Sequence, residues 1–122
     1  MKLENLMIDA SNAERLRDFY ANLTGWKKIT IFNLPGIISD CGTRMIFNTE
    51  EDYVPCVWPE QDGCQQKQMH LDLQTSDVNK SVQLAESLGA VKAPDQFGGD
   101  EWITMLDPDG HPFCLCKEGN LE

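Results

Sequence analysis

The chain of 122 residues carries 20 acidic and 10 basic side chains, which gives a formal net charge of -10. This charge argues against binding to nucleic acid or to an anionic membrane surface, because both need a surface rich in Lys and Arg, and it permits a positively charged ligand. The length is that of one compact domain, which two half-size modules can share.

The first module is expected over residues 3–49. Residues 3–9 alternate between apolar and polar side chains, which predicts a strand with one covered face and with Asn5 pointing the other way. Ser11 and Glu14 have the spacing of a capping box, and Gly25 supplies a left-handed stop, so a helix is predicted between them. Three further strands are then expected, over residues 26–33, 37–39 and 43–48.

A connector over residues 50–66 interrupts the pattern of strands. It is acidic and contains two prolines, yet it also carries Tyr53, Val57 and Trp58. Side chains this large and apolar are not expected in a linker that only meets solvent. We therefore expect part of the connector to pack on the sheet or to cover a cavity.

The second module is expected over residues 67–118. Residues 69–74 alternate, with His70 and Asp72 on the face opposite the apolar side chains. Ser76 is the expected helix cap and Gly89 the expected stop. A short strand over 90–93, a loop containing Gly98-Gly99, and a hairpin of 101–106 with 112–117 complete the module.

The two modules echo each other in sequence. A constant offset pairs Asn5 with His70 and Ser11 with Ser76, and one inserted residue aligns the glycines that end the two helices. Such self-similarity at a fixed offset is typical of a duplicated structural unit. The sequence therefore predicts an α+β protein made of two βαβββ modules.

Two further features bear on the cellular compartment. No apolar run approaches the roughly 20 residues that a membrane-spanning helix needs, and Glu4 and Asp9 lie where a signal peptide would be apolar. The five cysteines are an odd number without CxxC spacing, so we expect reduced thiols. These observations predict a cytoplasmic protein.

Three segments resemble the vicinal oxygen chelate superfamily: FYANLTGW at the end of the first helix, HLDL at the start of the second module, and WITMLDPDGHPFCL near the end of the chain. That superfamily includes glyoxalase, extradiol dioxygenases, fosfomycin-modifying enzymes and bleomycin resistance proteins. The resemblance implies one glyoxalase-like domain over residues 1–122, in which two βαβββ modules form a curled mixed sheet with a cleft. It also implies a homodimer.

Metal enzymes of this superfamily take their ligands from the first and last strands of each module. Carried over to this chain, those places are Asn5, His70, Cys114 and Phe47, with Asn48 instead of Phe47 if the register slips by one. Three of the four differ from the usual His and Glu donors. A complete metal site is therefore not expected, and a divalent Zn, Ni or Fe ion remains the alternative.

His70 is the strongest single candidate for chemistry, as a metal ligand, a general base or a hydrogen-bonding wall residue. Cys114 is either a thiolate co-ligand or a small buried apolar residue. Asp72 stands two residues from His70 on a strand, at a side-chain spacing of about 6.5–7 Å, so a direct pair is not expected. His111 follows the turn of the final hairpin, where solvent exposure is predicted.

Trp58 and Trp102, together with Tyr53, are candidates for the walls of a cleft that holds a planar or cationic ligand. Core packing is the competing interpretation for each of them. The leading hypothesis is a metal-free module, similar to the bleomycin resistance branch, that binds a small molecule in the cleft between its βαβββ modules. The alternatives are a metal-dependent lyase or dioxygenase of the glyoxalase kind, with His70 anchoring the ion, and a metal-free enzyme with His70 as general base.

Overall fold

The computed structural model describes residues 1–119 and divides into two compact units, Met1–Tyr53 and the chain from Val54 onward. Each unit is a βαβββ module, which confirms the predicted α+β fold. The first contains β1 (Leu6–Ala10), α1 (Ala13–Thr24), β2 (Lys27–Ile31), β3 (Leu34–Ile38) and β4 (Arg44–Thr49). The second contains β5 (Leu71–Thr75), α2 (Val78–Ser87), β6 (Val91–Lys92), β7 (Trp102–Leu106) and β8 (Pro112–Lys117).

Each unit has one four-stranded mixed sheet, and the two sheets have the same topology. The strand order is β1-β4-β3-β2 in the first unit and β5-β8-β7-β6 in the second. The first and last strands of each module pair in parallel, and the remaining neighbours are antiparallel. The helix supplies the long crossover that a parallel pair needs. Within residues 1–119, no helix is both long and apolar enough to cross a bilayer.

One face of each sheet packs on the helix of its own module. In the first unit the Phe47 ring, which is 0% exposed, stacks on Tyr20 of α1 at a centroid distance of 5.9 Å. In the second unit, Thr75 of β5 hydrogen-bonds Ser81 of α2, with 2.6 Å between the hydroxyl oxygens. Because side chains alternate along a strand, these contacts also fix which residues point away from the helix.

Both helices begin one residue later than the sequence predicts. Asn12, not Ser11, caps α1 by accepting a hydrogen bond from the backbone N–H of Arg15 at 3.0 Å. Asp77, not Ser76, caps α2 by accepting from the backbone N–H of Lys80 at 3.0 Å. Amide and carboxylate oxygens cap as well as a serine hydroxyl, so adjacent residues competed for the same role. Gly25 has φ 75°, which confirms the predicted left-handed stop.

The final hairpin is closed by a buried carboxylate. Asp107, whose side chain is 0% exposed, accepts hydrogen bonds from the backbone N–H groups of Asp109 and His111 at 2.9 and 3.0 Å. The Nδ1 atom of His111 lies 2.9 Å from the second carboxylate oxygen. The predicted solvent exposure of His111 is therefore wrong: its side chain is only 27% exposed, because the turn's own aspartate holds the ring inward.

Gln96 anchors the loop between β6 and β7. Its side-chain amide donates to the backbone oxygens of Ala93 and Thr104, both at 2.8 Å, and its carbonyl accepts from the N–H of Thr104 at 2.9 Å. After the short strand β6 ends, these side-chain hydrogen bonds satisfy backbone groups that a longer strand would otherwise pair. The loop is thereby held against β7, where it contributes to the pocket described next.

Candidate ligand pocket in the second unit

A pocket of about 760 Å³ lies on the face of the second sheet that points away from α2. Its floor is formed by alternate residues of β5, β7 and β8, the positions that strand geometry places on one face. Loop residues from the connector and from the Gln96 loop form its walls. The lining residues are Trp58, Lys67, His70, Asp72, Gln74, Phe97, Trp102, Thr104, Pro112, Cys114, Cys116 and Lys117.

His70 and Asp72 form a direct contact in this pocket. The imidazole Nε2 of His70 lies 3.2 Å from a carboxylate oxygen of Asp72, so the expectation that they would not pair is wrong. His70 immediately precedes β5, and Asp72 is its second residue. Although their backbones are two residues apart, the imidazole and the carboxylate are oriented toward each other. A carboxylate in this position can orient an imidazole that acts as a base or as a ligand.

Cys114 completes a cluster of three donor groups. It pairs directly with Asp72 in the parallel register of β5 and β8. The His70 nitrogen, the Asp72 oxygen and the Cys114 sulfur all lie within 4.8 Å of one another. Neighbouring strands thus bring together three groups that the sequence separates.

The two cysteines on the pocket floor are poor nucleophiles at neutral pH. Burial raises the pKa of the Cys114 thiol, and the negative charge of Asp72 acts in the same direction. Burial likewise raises the pKa of Cys116, to about 11. A raised pKa favours the neutral thiol at neutral pH, and the thiolate is the reactive form, so both side chains are less reactive than a free cysteine.

The walls are aromatic and carry one lysine at close range. Trp58 and Phe97 meet edge to face, with ring centroids 6.3 Å apart. The Lys67 ammonium lies 3.9 Å from the centroid of the Trp58 ring, which is a cation–π contact. Phe97 and Trp102 are 64% and 37% exposed, so both present ring surface that a ligand can cover.

Sequence reasoning named five of the lining residues and missed others. His70, Asp72, Trp58, Trp102 and Cys114 all line this pocket. Phe97 and both lysines were missed, and only Phe97 had a signal, as an isolated aromatic residue in a polar loop beside two glycines. Tyr53 lies in the first unit.

Three candidate residues, Phe47, Asn48 and Asn5, belong to the first unit and do not line this pocket. Phe47 is a core residue that packs on α1, so its predicted role in the cleft is corrected: the ring has no surface to offer a ligand. Its neighbour Asn48 points to the opposite face of the sheet, where its amide donates to Glu50 at 2.7 Å. Asn5 lies just before β1, and its side-chain oxygen is buried without a hydrogen-bond partner among residues 1–119.

The three-donor cluster matches the chemistry of a zinc site in part. Imidazole, carboxylate and thiolate are all zinc ligands, and three protein donors with an open fourth position are typical of catalytic zinc. Cys114 must first lose its proton, from a thiol whose pKa burial raises. Nickel and non-haem iron sites rely more on imidazole and carboxylate, so the cluster fits zinc better than either.

The duplicated βαβββ module and the pocket on its open sheet face define the glyoxalase/bleomycin resistance/dioxygenase class of folds. The chain belongs to the glyoxalase-like domain family, whose sequence profile matches residues 5–116. This match confirms the resemblance to the vicinal oxygen chelate superfamily. Among curated proteins, none matches the sequence.

Solved structures from several bacteria share the fold. A glyoxalase/bleomycin resistance protein/dioxygenase family enzyme from Burkholderia phytofirmans PsJN is 19% identical, with a TM-score of 0.68 over 96% of this chain and 98% of that chain. A glyoxalase/dioxygenase from Nostoc punctiforme is 14% identical, with a TM-score of 0.72 over 98% and 92%. TnmS3, an antibiotic binding protein from Streptomyces sp. CB03234, is 16% identical, with a TM-score of 0.64 over 98% and 97%. Identities this low show the fold alone.

Proposed function

We propose that this glyoxalase-like protein binds a small molecule with a planar aromatic part in the pocket of its second unit, without a complete metal site. The observation that carries the proposal is the pocket itself: about 760 Å³, with Trp58, Phe97 and Trp102 in its lining. Pockets for small molecules typically have volumes of about 300–1,000 Å³ and few polar groups among apolar walls. An antibiotic binding protein with the same fold supports binding as the function of such a scaffold.

The exposed aromatic surface supplies the expected binding energy. Phe97 is 64% exposed, and a solvent-exposed ring on a pocket wall gains free energy when a ligand covers it. An aromatic contact contributes about 0.5–1.5 kcal/mol beyond the area it buries. Removing one wall ring is therefore expected to weaken binding measurably without unfolding the protein.

This expectation can be tested with an anthracene carboxamide, a neutral planar probe whose absorption overlaps tryptophan emission. In a Trp26→Phe background, the remaining tryptophans are the two that line the pocket. Titration is expected to quench their fluorescence saturably, and Phe97→Ala to raise the Kd by about 3–10-fold because one ring contact is lost.

Phe32→Ala is the matched control, because Phe32 is 87% exposed and lies in the first unit, outside the pocket lining. It is expected to leave the Kd unchanged. A titration without saturation, or equal losses in the two alanine variants, would contradict binding in this pocket.

The second candidate function is a metal-dependent lyase or dioxygenase of the glyoxalase kind, and the specific observation in its favour is the cluster of His70, Asp72 and Cys114. Zinc bound by these side chains would supply a Lewis acid for substrate oxygens. The chain's own contribution is orientation: Asp72 contacts the His70 ring at 3.2 Å, and the register of β5 and β8 holds Cys114 beside it.

Metal analysis of protein purified without chelator separates the two functions. Under the preferred function, we expect zinc, nickel and iron well below one equivalent and no difference between the parent protein and His70→Ala. Stoichiometric metal that is lost on His70→Ala, but retained in Gln74→Ala on the adjoining strand β5, would support the alternative. In that case affinity should rise with pH, because the metal must displace the proton of Cys114, whose pKa burial raises.

The homodimer and the cytoplasmic location remain predictions from the sequence. The resemblance to the superfamily supports the homodimer, since paired chains are common in that group. The net charge of -10 and the five cysteines without disulfide spacing support the location.

A further inference from the structure

The pocket lining has more basic than acidic side chains, whereas the chain as a whole has more acidic than basic ones. The chain carries a formal net charge of -10, but the pocket lining contains two lysines, Lys67 and Lys117, and a single carboxylate, Asp72. The potential inside a pocket depends on the nearest charges more than on distant ones, because salt screens exposed charges beyond about 10 Å. The lining, not the total charge, therefore governs which ligand the pocket prefers.

The lining carboxylate and the lining lysines also differ in their partners. Asp72 is already contacted by His70 at 3.2 Å. Neither Lys67 nor Lys117 forms an ion pair with any carboxylate in the described part of the chain. His70 carries charge only when it is protonated, so with a neutral imidazole the two lysines and one carboxylate of the lining give it a formal charge of +1.

Lys67 is placed to exclude a cationic ligand from the aromatic wall. Its ammonium lies 3.9 Å from the centroid of the Trp58 ring and so occupies the position that an incoming cation would take. Its charge also reaches the pocket floor, where it partly opposes the effect of burial on the pKa of Cys114. A second cation would meet repulsion there, and an anion would meet attraction.

Trp58 also carries an unsatisfied hydrogen-bond donor, which disfavours a ligand that can only donate. Its indole Nε1–H is buried and has no acceptor within residues 1–119. A buried donor without an acceptor is unfavourable. An ammonium group only donates hydrogen bonds and cannot satisfy this donor, whereas a carboxylate or a neutral carbonyl oxygen can accept from it.

We propose that the pocket of the second unit selects planar aromatic anions, with the ring system on the aromatic wall and the anionic group attracted by the lysines of the lining. The inference rests on the proposed function, because it names the ligand class of that same pocket. It also differs in sign from the cationic ligand that the total charge of the chain permits.

The test compares three anthracene probes of nearly the same shape: the carboxylate, the carboxamide and the aminomethyl compound. Each is titrated into the Trp26→Phe protein by tryptophan quenching, at low and at high salt. The carboxylate is expected to bind about fivefold more tightly than the carboxamide, as an exposed ion pair allows. The aminomethyl compound is expected to bind most weakly, and both differences should shrink with salt because exposed charges are screened.

Lysine variants test whether Lys67 and Lys117 cause the preference for the carboxylate probe. Lys67→Met and Lys117→Met are each expected to reduce the carboxylate preference, and the double variant to abolish it. Lys117→Met is informative by itself, because it leaves the contact between Lys67 and Trp58 intact. Lys92→Met is the matched control, since Lys92 is exposed on β6 and does not line the pocket.

The outcomes distinguish this inference from the function on which it rests. Equal affinities for carboxylate and carboxamide would overturn the anionic preference and leave the binding function standing. Tightest binding of the aminomethyl compound would overturn it in favour of a cationic ligand. A preference that persists in the double lysine variant would also overturn it, whereas the absence of saturable binding for all three probes would remove the binding function itself.

Discussion

Phe47→Ala is expected to lower the free energy of unfolding by about 3–5 kcal/mol. The Phe47 ring is 0% exposed and stacks on Tyr20 at 5.9 Å, so its removal leaves a cavity between β4 and α1. Urea denaturation followed by circular dichroism gives the change as a shift of the midpoint. Binding of the anthracene carboxamide per folded molecule should remain unchanged, because the ring faces the helix of the first unit.

Two further variants serve as a control and as a substitute for Phe47→Ala. Phe32→Ala removes a phenyl ring that is 87% exposed and is expected to change stability by less than about 0.5 kcal/mol. Phe47→Leu refills most of the cavity and serves if the alanine variant does not fold. A Phe47 variant that retained its stability but lost affinity for the probe would return this residue to the binding site, where the sequence had placed it.

Gly98→Ala is expected both to destabilise the second unit and to remove ligand binding. A Cβ atom at Gly98 would lie 2.4 Å from the backbone oxygen of Trp102 and 2.5 Å from its ring. No rotamer relieves the contact with a backbone atom, so the loop and Trp102 must move apart, at a cost of about 1–3 kcal/mol. The pocket then loses one of its walls, and the Kd for the carboxamide probe should rise by about tenfold or more.

Gly99→Ala is the control for Gly98→Ala. It distinguishes the displacement of Trp102 from the backbone strain of an alanine at positive φ. Gly99 has φ +56°, and an added Cβ atom there meets nothing within 4 Å. The substitution should cost about 1–2 kcal/mol for the left-handed backbone and leave Trp102 in place. The two variants are compared by urea denaturation and by probe titration. Retained affinity in Gly98→Ala, or equal losses of affinity in both variants, would show that the contact between Gly98 and Trp102 does not position the wall.

Local patterns in the sequence predict most of the fold. Alternation around Leu6 and Leu71 marks the first strand of each module, because strand side chains repeat with a period of two. The left-handed stop at Gly25 follows from the low cost of positive φ in glycine. Helix starts are less well determined: Ser-Asn and Ser-Asp pairs each offer two capping side chains, and the chain uses the second.

The candidate site was predicted less completely than the fold. One error concerned the face of a strand, and another concerned the distance that side chains can span. Phe47 was assigned to the wrong face because a shift of one residue in a strand exchanges its faces. In the observed parallel register Ile8 lies beside Phe47, so both belong to the face that packs on α1. The contact between His70 and Asp72 was rejected on backbone spacing, although side-chain rotation closes most of that distance.

The sequence by itself determined the duplicated module, the strands and helices, and the family, because periodicity, capping and turn residues act over a few neighbouring positions. Only the tertiary structure decided that Lys67 and Phe97 share a pocket with His70, Trp102 and Cys114. These residues come from separate loops and strands, and strand pairing and loop anchoring bring them together. The charge that a ligand meets is therefore a property of this assembled surface and cannot be read from the net charge of the chain.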